Sequence, residues 1–272
     1  MPNVNINPED VMIQLKHLRK VFGRQEVLRD VSLDIRRGET MVVIGQSGGG
    51  KSVILKHMIG LLQPSGGEVS IDNITISTPE FFDTRTIRKK MGMVFQMGAL
   101  FDSMSTGENI AFALREHNPH LSEEQIQKIV HEKLELINLR AEFSQKMPTE
   151  LSGGMRKRVA LARAIALNPE VILYDEPTTG LDPITSDVIN DLILDMQRKL
   201  HVTSVVVTHD MASAFKVADR IAMLYNGYII QVGTVDEIKN TTNPYVLQFI
   251  TGQRKLPTGP GIDAPSEETA EK

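Results

Sequence analysis

The chain has 272 residues, of which 41% are hydrophobic and 24% charged, values that allow one large α/β domain or two small ones. The net charge of −4 argues against a nucleic-acid-binding protein that relies on a basic surface, and the absence of cysteine excludes disulfides and thiolate metal sites. The first residues lack the basic and apolar segments of a secretion signal, and no apolar run approaches the ~20 residues of a membrane-spanning helix. We therefore expect any role at a membrane to depend on a partner.

The first part of the chain has the pattern of strands joined by tight turns. Residues 12–44 predict short strands, and they end in the apolar run Met41–Ile44. The sequence GQSGGGKS follows that run and opens a helical pattern. The apolar face of this predicted helix comprises Leu55, Met58, Ile59 and Leu62.

This glycine-rich sequence, placed between a strand and a helix, has the features of a Walker A phosphate loop. Its glycines let the backbone curl around an anion, and the positive end of the following helix points to the same place. Lys51 can reach the β- and γ-phosphates of a nucleoside triphosphate, and Ser52 can place its hydroxyl on Mg²⁺. The predicted nucleotide-binding residues of the loop are Gly45, Gln46, Ser47, Gly48, Gly49, Gly50, Lys51, Ser52 and Val53.

The middle of the chain changes from strands to helices. Residues 68–76 alternate in a way that predicts two short strands, and Met91–Phe95 predicts another. Residues 106–146 look helical, and within them Ser122 and Gln125 form a capping box. The apolar residues that follow at helical spacing predict a buried stripe, made by Ile126, Ile129, Val130, Leu134 and Ile137.

Helices and strands alternate again in the last part of the chain. A helix is predicted over residues 152–166, and strands are predicted over Val171–Tyr174 and over residues 204–208, with an amphipathic segment at 184–200 between them. A terminal hairpin is predicted around the pair Asn226-Gly227.

Two segments follow the last predicted strands. Residues 241–252 form a C-terminal extension with an apolar helical stripe that either docks a neighbouring subunit or packs on its own core. Residues 253–272 are rich in Pro, Gly, Ser, Thr and acids, which predicts a disordered tail. The stripe consists of Tyr245, Val246, Phe249 and Ile250.

An acidic pair, Asp175 and Glu176, ends the apolar run Val171–Tyr174. A parallel strand buried on both faces has such a run, and ligands bind at the carboxyl ends of these strands. We therefore expect Asp175 to hold Mg²⁺ and Glu176 to orient and polarise an attacking water, because phosphoryl transfer depends on positioning and charge stabilisation.

A second candidate anion site precedes this strand. In the sequence LSGGM, Ser152, Gly153 and Gly154 lie where a helix begins, which makes a second anion-binding helix terminus. One nucleotide does not need two such sites from one subunit. Here the chain resembles the ATP-binding-cassette (ABC) ATPases, whose signature is LSGGQ, although Met155 replaces the usual Gln. The resemblance runs from about Val11 to Glu237 and implies that the signature reaches across a head-to-tail dimer to the other subunit's γ-phosphate.

The same resemblance implies roles for residues that carry little information alone. Phe22 corresponds to the aromatic residue that stacks on adenine, with packing of a turn as its alternative role. Gln96 corresponds to the Q-loop glutamine, which touches Mg²⁺ and faces the membrane partner. Asp182 lies in the D-loop at the dimer interface, and His209 corresponds to the switch histidine that contacts the γ-phosphate. The implied catalytic set is therefore Lys51, Gln96, Glu176 and His209.

The fold class implied is an α/β P-loop NTPase, with a RecA-like core, an antiparallel β subdomain and an inserted α-helical subdomain. We expect the nucleotide-binding domain to cover residues 11–240 and its helical subdomain to cover about 97–165. The basic cluster Arg156–Arg158 is expected to form a solvated face or to pair with carboxylates, and not to bind nucleic acid.

A finer resemblance involves the run FQMGALFDSM at Phe95–Met104, the run ENIAFALREH at Glu108–His117, and Met155. These are similar to the ATPase subunits of Mla/Mce-type lipid transporters. That resemblance implies an ATPase at the cytoplasmic face of the bacterial inner membrane, which closes as a homodimer on two ATP to power phospholipid transport between inner and outer membrane. The implied partners are an integral-membrane permease, an Mce-domain lipid-binding protein and a small STAS-domain protein.

Two alternatives remain at this point. One is the ATPase subunit of an amino-acid or similar small-solute importer. The other is a P-loop ATPase or kinase outside transport, which would need neither the LSGGM sequence nor the D-loop nor His209.

Overall fold

The computed structural model describes residues 10–77 and 84–252. The strands within these ranges are β1 (Val11–Phe22), β2 (Gln25–Arg36), β3 (Thr40–Ile44), β4 (Gly66–Ile71), β5 (Ile74–Thr75), β6 (Met91–Val94), β7 (Val171–Asp175), β8 (Thr203–Thr208), β9 (Arg220–Tyr225) and β10 (Tyr228–Thr234). They form one mixed sheet in the order β5-β4-β1-β2-β10-β9-β3-β8-β7-β6. The predicted hairpin around Asn226 and Gly227 is confirmed, since both residues have positive φ angles, 48° and 82°, as its tight turn requires.

The first half of the sheet is antiparallel, with β1 paired to β2 and β4, and β4 paired to β5. The expectation of short strands over residues 12–44 was wrong for β1 and β2, which are 12 residues long each. The register of the β1–β2 pair shifts between Leu15 and Leu18, where His17 has a φ of 48°. Such a bulge interrupts the apolar alternation without ending the strand.

The second half of the sheet has a parallel centre, in which β3 lies between β8 and β9, and β7 lies between β8 and β6. Every residue of β3, β7 and β8 is buried. Successive residues of β3 face opposite layers of core, because Met41 and Val43 belong to one apolar cluster and Val42 and Ile44 to the other. This explains why these strands are continuous apolar runs in the sequence.

The helices of the described ranges are α1 (Lys51–Met58), α2 (Thr84–Lys89), α3 (Thr106–His117), α4 (Glu123–Leu136), α5 (Gly153–Ala164), α6 (Pro183–Leu200), α7 (Met211–Val217), α8 (Val235–Lys239) and α9 (Pro244–Thr251). The capping box of Ser122 and Gln125 is confirmed at the start of α4. Four members of the predicted stripe are buried against α3 and α5, and Ile129 is partly buried there. Helices α2, α7 and α8 were not predicted, since five to seven residues are too few to display a helical period.

Helix α1 is shorter than its apolar pattern suggested. It ends at Met58, and Gly60 adopts a φ of 68° just beyond it. The amides of Gly60 and Leu61 donate to the carbonyls of His57 and Lys56, which closes the helix end in the manner of a glycine C-cap. Leu62 therefore lies outside the helix.

The C-terminal helix α9 packs on its own core. Val246 is fully buried, Phe249 and Ile250 are partly buried beside it, and the rings of Tyr245 and Tyr225 lie 4.8 Å apart. The predicted tail at 253–272 lies outside the described residues. Across 10–77 and 84–252, none of the helices combines the length and the apolarity that crossing a bilayer requires.

Candidate active site

The glycine-rich loop begins where β3 ends and continues into α1. Gly45 and Gly50 have φ angles of 157° and 101°. A Cβ atom on Gly45 would lie 2.5 Å from the Leu224 carbonyl oxygen, and one on Gly50 would lie 2.9 Å from Leu28 Cδ2. The Leu224 backbone leaves no space for a side chain at Gly45, and residues with a side chain rarely adopt the φ of Gly50, so both positions require glycine.

The tip of the loop is open to solvent, while its two ends are packed. Gln46, Ser47 and Gly48 are exposed, and the Gly49 amide donates to the Gln46 carbonyl at 3.1 Å. Val53, which follows Ser52 in α1, is partly buried against the core. The predicted loop residues thus present backbone N–H groups on a curved, exposed surface at a helix N-terminus, which is the arrangement that binds phosphate.

The Lys51 side chain lies beneath this loop and is only 5% exposed. Its ammonium donates to the carbonyl oxygens of Gly45 and Gln46 at 2.8 and 3.0 Å, and it lies 3.5 Å from Glu176 Oε1. A cation held in a site with little water interacts strongly with a nearby anion. The geometry is therefore suited to a phosphate bound by the loop.

Ser52 and Asp175 form the next pair of this site. The Ser52 hydroxyl donates to Asp175 Oδ1 at 2.7 Å, and Asp175 is buried at the end of β7. Hydroxyl and carboxylate oxygens are the ligands that Mg²⁺ prefers, usually with phosphate oxygens and water completing the shell. Within the described part of the chain there is no group of three His, Cys, Asp or Glu side chains that would form an all-protein metal cage. The donor set therefore fits Mg²⁺ bound together with a nucleotide.

Glu176 follows Asp175 in a backbone conformation that is uncommon outside glycine, with a φ of 48°. Its amide donates to the Val207 carbonyl at 2.9 Å, which ties it to the neighbouring strand β8. His209 Nδ1 lies 2.8 Å from Glu176 Oε2, and the Thr179 hydroxyl donates to the same oxygen at 3.0 Å. The structure thus brings three predicted catalytic residues, Lys51, Glu176 and His209, into direct contact.

Two further predicted site residues, Gln96 and Phe22, are exposed. Gln96 follows β6, and its side chain is exposed and makes no hydrogen bond to any described residue. Phe22 ends β1, is 44% exposed, and has the Lys20 ammonium 5.1 Å from its ring centre. Neither side chain contacts Lys51 or Glu176 in this structure.

The LSGGM segment and the Asp182 loop form a separate, adjoining surface. The Ser152 hydroxyl caps α5 by accepting from the Met155 amide at 3.3 Å. A Cβ atom on Gly154 would lie 2.3 Å from Thr185 Cγ2, and one on Gly153 would lie 3.6 Å from Leu181 Cδ2. The start of α5 therefore packs directly against the start of α6.

Asp182 caps α6 in the same way that Ser152 caps α5. Its carboxylate accepts from the amides of Ile184 and Thr185, each at 3.0 Å, and hydrogen bonds from Thr185 hold the pKa of Asp182 below its usual value. Ser152 and Asp182 are both exposed to solvent.

Lys157 belongs to the site, although the sequence pattern predicted a solvated face or pairing with carboxylates. The solvated face was wrong for this residue, which is only 7% exposed and donates to backbone carbonyls. Its ammonium donates to the Gln96 carbonyl and, at 3.2 Å, to the Glu176 carbonyl. Burial lowers the pKa of Lys157, while the nearby Asp175 and Glu176 carboxylates oppose that shift. Its helical spacing from Gly154 and Leu161, which are buried on the same helix, was the available signal.

The comparisons with known proteins agree with this geometry. A family model described as "ABC transporter" matches residues 28–179, which is more than half of the chain. The chain belongs to the ABC transporter family. The fold class expected from the sequence is confirmed, because the cassette has a parallel core, an antiparallel β part and a helical part.

Three relatives of this ABC protein cover most of its length. The "Probable ribonucleotide transport ATP-binding protein mkl" of Mycobacterium leprae is 43% identical over 93% of this chain and 72% of that protein. "Protein TRIGALACTOSYLDIACYLGLYCEROL 3, chloroplastic" of Arabidopsis thaliana is 43% identical over 90% of this chain and 75% of that protein. The "Intermembrane phospholipid transport system ATP-binding protein MlaF" of Haemophilus influenzae is 40% identical over 90% and 92%.

Among solved structures, the dimeric post-hydrolysis state of the ATP-binding cassette MJ0796 with ADP and Pi has a TM-score of 0.76 to this chain. It is 34% identical and covers 82% of this chain and 99% of that one. This ABC ATPase therefore binds and hydrolyses ATP.

Proposed function

We propose that this ABC ATPase supplies the energy for phospholipid transport between the inner and outer membranes of a bacterium. The observation that carries the proposal is the similarity to the Haemophilus influenzae phospholipid-transport ATPase, which extends over nearly the whole of both chains. The FQMGALF and LREH runs, at residues 95–101 and 114–117, are the local sequence features that resemble this class of ATPase.

An exposed apolar surface beside Gln96 supports a membrane-embedded permease as partner. Met97 is 86% exposed, and the half-exposed rings of Phe101 and Phe112 lie 5.2 Å apart. The Arg163 guanidinium holds the intervening loop in place by donating to the carbonyls of Gly98 and Ala99 at 2.9 and 2.6 Å. Apolar side chains displayed on a fixed loop are typical of a protein–protein contact.

The proposed chemistry assigns a role to each predicted residue of the site. The loop N–H groups and Lys51 bind the β- and γ-phosphates of ATP, and Phe22 stacks on adenine. Ser52, Asp175 and Gln96 would hold Mg²⁺, and the bound ion would neutralise charge on the phosphate oxygens. Glu176 orients the attacking water, and the contact with His209 fixes its carboxylate. Positioning and charge supply the rate enhancement, since phosphoryl transfer needs little covalent help.

The second surface is proposed to complete the site of another copy of the chain. At the N-terminus of α5, Ser152 is exposed, Gly153 is half-buried and Gly154 is buried, and Asp182 lies on the adjoining loop. A helix N-terminus binds anions. In a head-to-tail homodimer, this surface would contact the γ-phosphate held by the partner, so that closure on two ATP builds both sites at once.

The remaining assignments follow from the same proposal. The cassette covers residues 11–240, its helical subdomain covers 97–165, and residues 241–252 extend it. The complex lies at the cytoplasmic face of the inner membrane, with the permease, an Mce-domain lipid-binding protein and a small STAS-domain protein. Because Val246 is buried in the core, a neighbouring subunit would contact another face of α9.

Co-purification from membranes tests the proposal. The tagged full chain should recover a permease and an Mce-domain protein, together with co-extracted phospholipid. Met97→Glu should lose the permease, while Leu61→Glu, at an apolar residue that is 50% exposed elsewhere, should keep it.

A solute importer is the second candidate, because the Mycobacterium leprae relative is named for ribonucleotide transport. A recovered permease that carries no lipid, in a complex whose ATP hydrolysis responds to a ribonucleotide or an amino acid, would replace the lipid proposal with this one.

A further inference from the structure

Lys157 connects two segments of the site that are far apart in the sequence. It lies on α5, five residues after the N-cap Ser152, which is a distance of about 7.5 Å along the helix axis. Its buried ammonium donates to the carbonyl of Gln96, just after β6, and to the carbonyl of Glu176, just after β7. One side chain therefore holds the backbone of both segments.

Packing alone does not require a charged residue at this position. The neighbours of Lys157 on the inner face of α5 include Gly154, Ala160 and Leu161, which are all buried. Removing an ammonium from water is costly unless its hydrogen bonds are replaced, and an apolar residue of similar volume often serves stability as well. The charge therefore has a use beyond filling space.

The bond to Glu176 is placed where it can control the carboxylate. The Glu176 amide is held by the Val207 carbonyl, and its own carbonyl accepts from Lys157 at 3.2 Å and from the Thr179 amide at 3.3 Å. With its φ of 48°, this residue leaves the strand at a sharp angle. A displacement of the Glu176 backbone would move its side chain.

We propose that Lys157 is a positioning residue that makes Glu176 and the Gln96 loop move together with α5. This inference rests on the proposed two-copy site. There, the N-terminus of α5 contacts the partner's nucleotide, whereas Lys157 contacts the segments that serve the chain's own nucleotide. Engagement of Ser152 with the partner would thereby set the geometry of Glu176 in the same chain and link the two sites.

Amide hydrogen exchange of the full chain tests the mechanical part of this inference without any need for turnover. Lys157→Met removes the charge and the donors but keeps the length of the side chain. It should speed exchange in both segments, residues 96–101 and 176–181. Arg158→Met is the matched control, because the Arg158 guanidinium bonds the Asn138 carbonyl on another side of α5. Faster exchange in one segment only, or in neither, overturns the proposal.

Steady-state ATP hydrolysis by the full chain tests the functional part. Lys157→Met should lower kcat about tenfold, as expected when a catalytic group is slightly misplaced, and should leave KM within about twofold. We expect a cooperative dependence of rate on ATP concentration in the wild type and a non-cooperative one in Lys157→Met. Lys157→Gln, a neutral donor, should recover part of kcat. A rise in KM with unchanged kcat, or no recovery by Lys157→Gln, would overturn the positioning role.

The proposed two-copy site fails on a different measurement, which keeps the two failures apart. If wild-type chains never associate when loaded with ATP, the two-copy site is wrong. The exchange result then still decides whether Lys157 fixes both segments within one chain.

Discussion

The two surfaces proposed to contact nucleotide differ in how they are built. Around Lys51, Ser52 bonds Asp175, and Glu176 contacts both Lys51 and His209. Lys51, Asp175 and Glu176 are buried, whereas the His209 side chain is 50% exposed. At the start of α5 and α6, the polar groups are exposed and bond only the helices that they cap. The first surface is organised within one chain. The second surface exposes polar groups to solvent. Such exposure is expected where the ligand is held by another molecule.

The two surfaces also depend on different kinds of contact. In the first, the side chains contact one another, so that each replacement disturbs several bonds. In the second, glycines allow close packing of α5 on α6, and a Cβ on Gly154 would clash with Thr185. Variants should therefore affect binding and chemistry within one chain at the first surface, and association between chains at the second.

The largest effect is expected for Glu176→Gln, which keeps the shape of the side chain but removes the carboxylate that orients water. We expect kcat for ATP hydrolysis to fall by about 100-fold or more, with ATP binding retained. Glu170 directly precedes β7 at its opposite end, and its side chain is 47% exposed. Glu170→Gln should keep a kcat close to that of the wild type. Normal turnover by Glu176→Gln would remove Glu176 from the mechanism.

Lys51→Ala should act on binding, because the buried ammonium beneath the loop is lost. We expect ATP affinity to fall by roughly 100-fold, measured by equilibrium binding of a labelled nucleotide. Lys56→Ala, on the same helix, should keep its affinity. Equal affinity in Lys51→Ala and wild type would contradict the assignment of this loop to the phosphates.

Ser152→Ala tests the second surface against a control with the same local role. Both Ser152 and Ser122 cap a helix, α5 and α4, and accept from an amide at 3.3 and 3.2 Å. Each replacement should cost about 1 kcal/mol of stability through the lost cap. Only Ser152→Ala should also reduce hydrolysis, by about tenfold.

Mixing Ser152→Ala with Lys51→Ala should restore part of the activity, because one intact shared site forms in each mixed dimer. If the mixture is no more active than the two variants measured separately, the shared-site arrangement loses its support.

The smallest expected effects are on stability, and they distinguish a buried apolar side chain from an exposed one. Val246→Ala should lower the free energy of unfolding by about 2 kcal/mol, because it leaves a cavity in the core beneath α9. Ile184→Ala, at a residue that is 80% exposed beside Asp182, should change it by no more than about 0.5 kcal/mol. Chemical denaturation measures both. Equal effects would mean that α9 does not pack on the core as described.

Much of the site could be predicted from the sequence because its signals are local. The glycines, Lys51 and Ser52 follow one another along the chain, and the acidic pair directly follows an apolar strand. The contact of Glu176 with His209 follows from the pairing of β7 with β8, since the two residues leave adjacent parallel strands at the same edge.

Lys157 was missed because its burial depends on what α5 packs against. Between Arg156 and Arg158, it reads as one of three solvated cations. Its partners are the backbone carbonyls of Gln96 and Glu176, which are 61 and 19 residues away from it in the chain. Backbone carbonyls have no signature in the sequence. The length of β1 was missed because a bulge at His17 interrupts its apolar alternation and hides the continuity of the strand.

The oligomeric state of Glu176→Gln in saturating Mg²⁺ and ATP, measured by analytical ultracentrifugation of the full chain, tests the shared site most directly. We expect two chains per particle with ATP, and single chains without nucleotide or when Ser152→Ala is added. Single chains at every ATP concentration, with the nucleotide bound, would contradict the account.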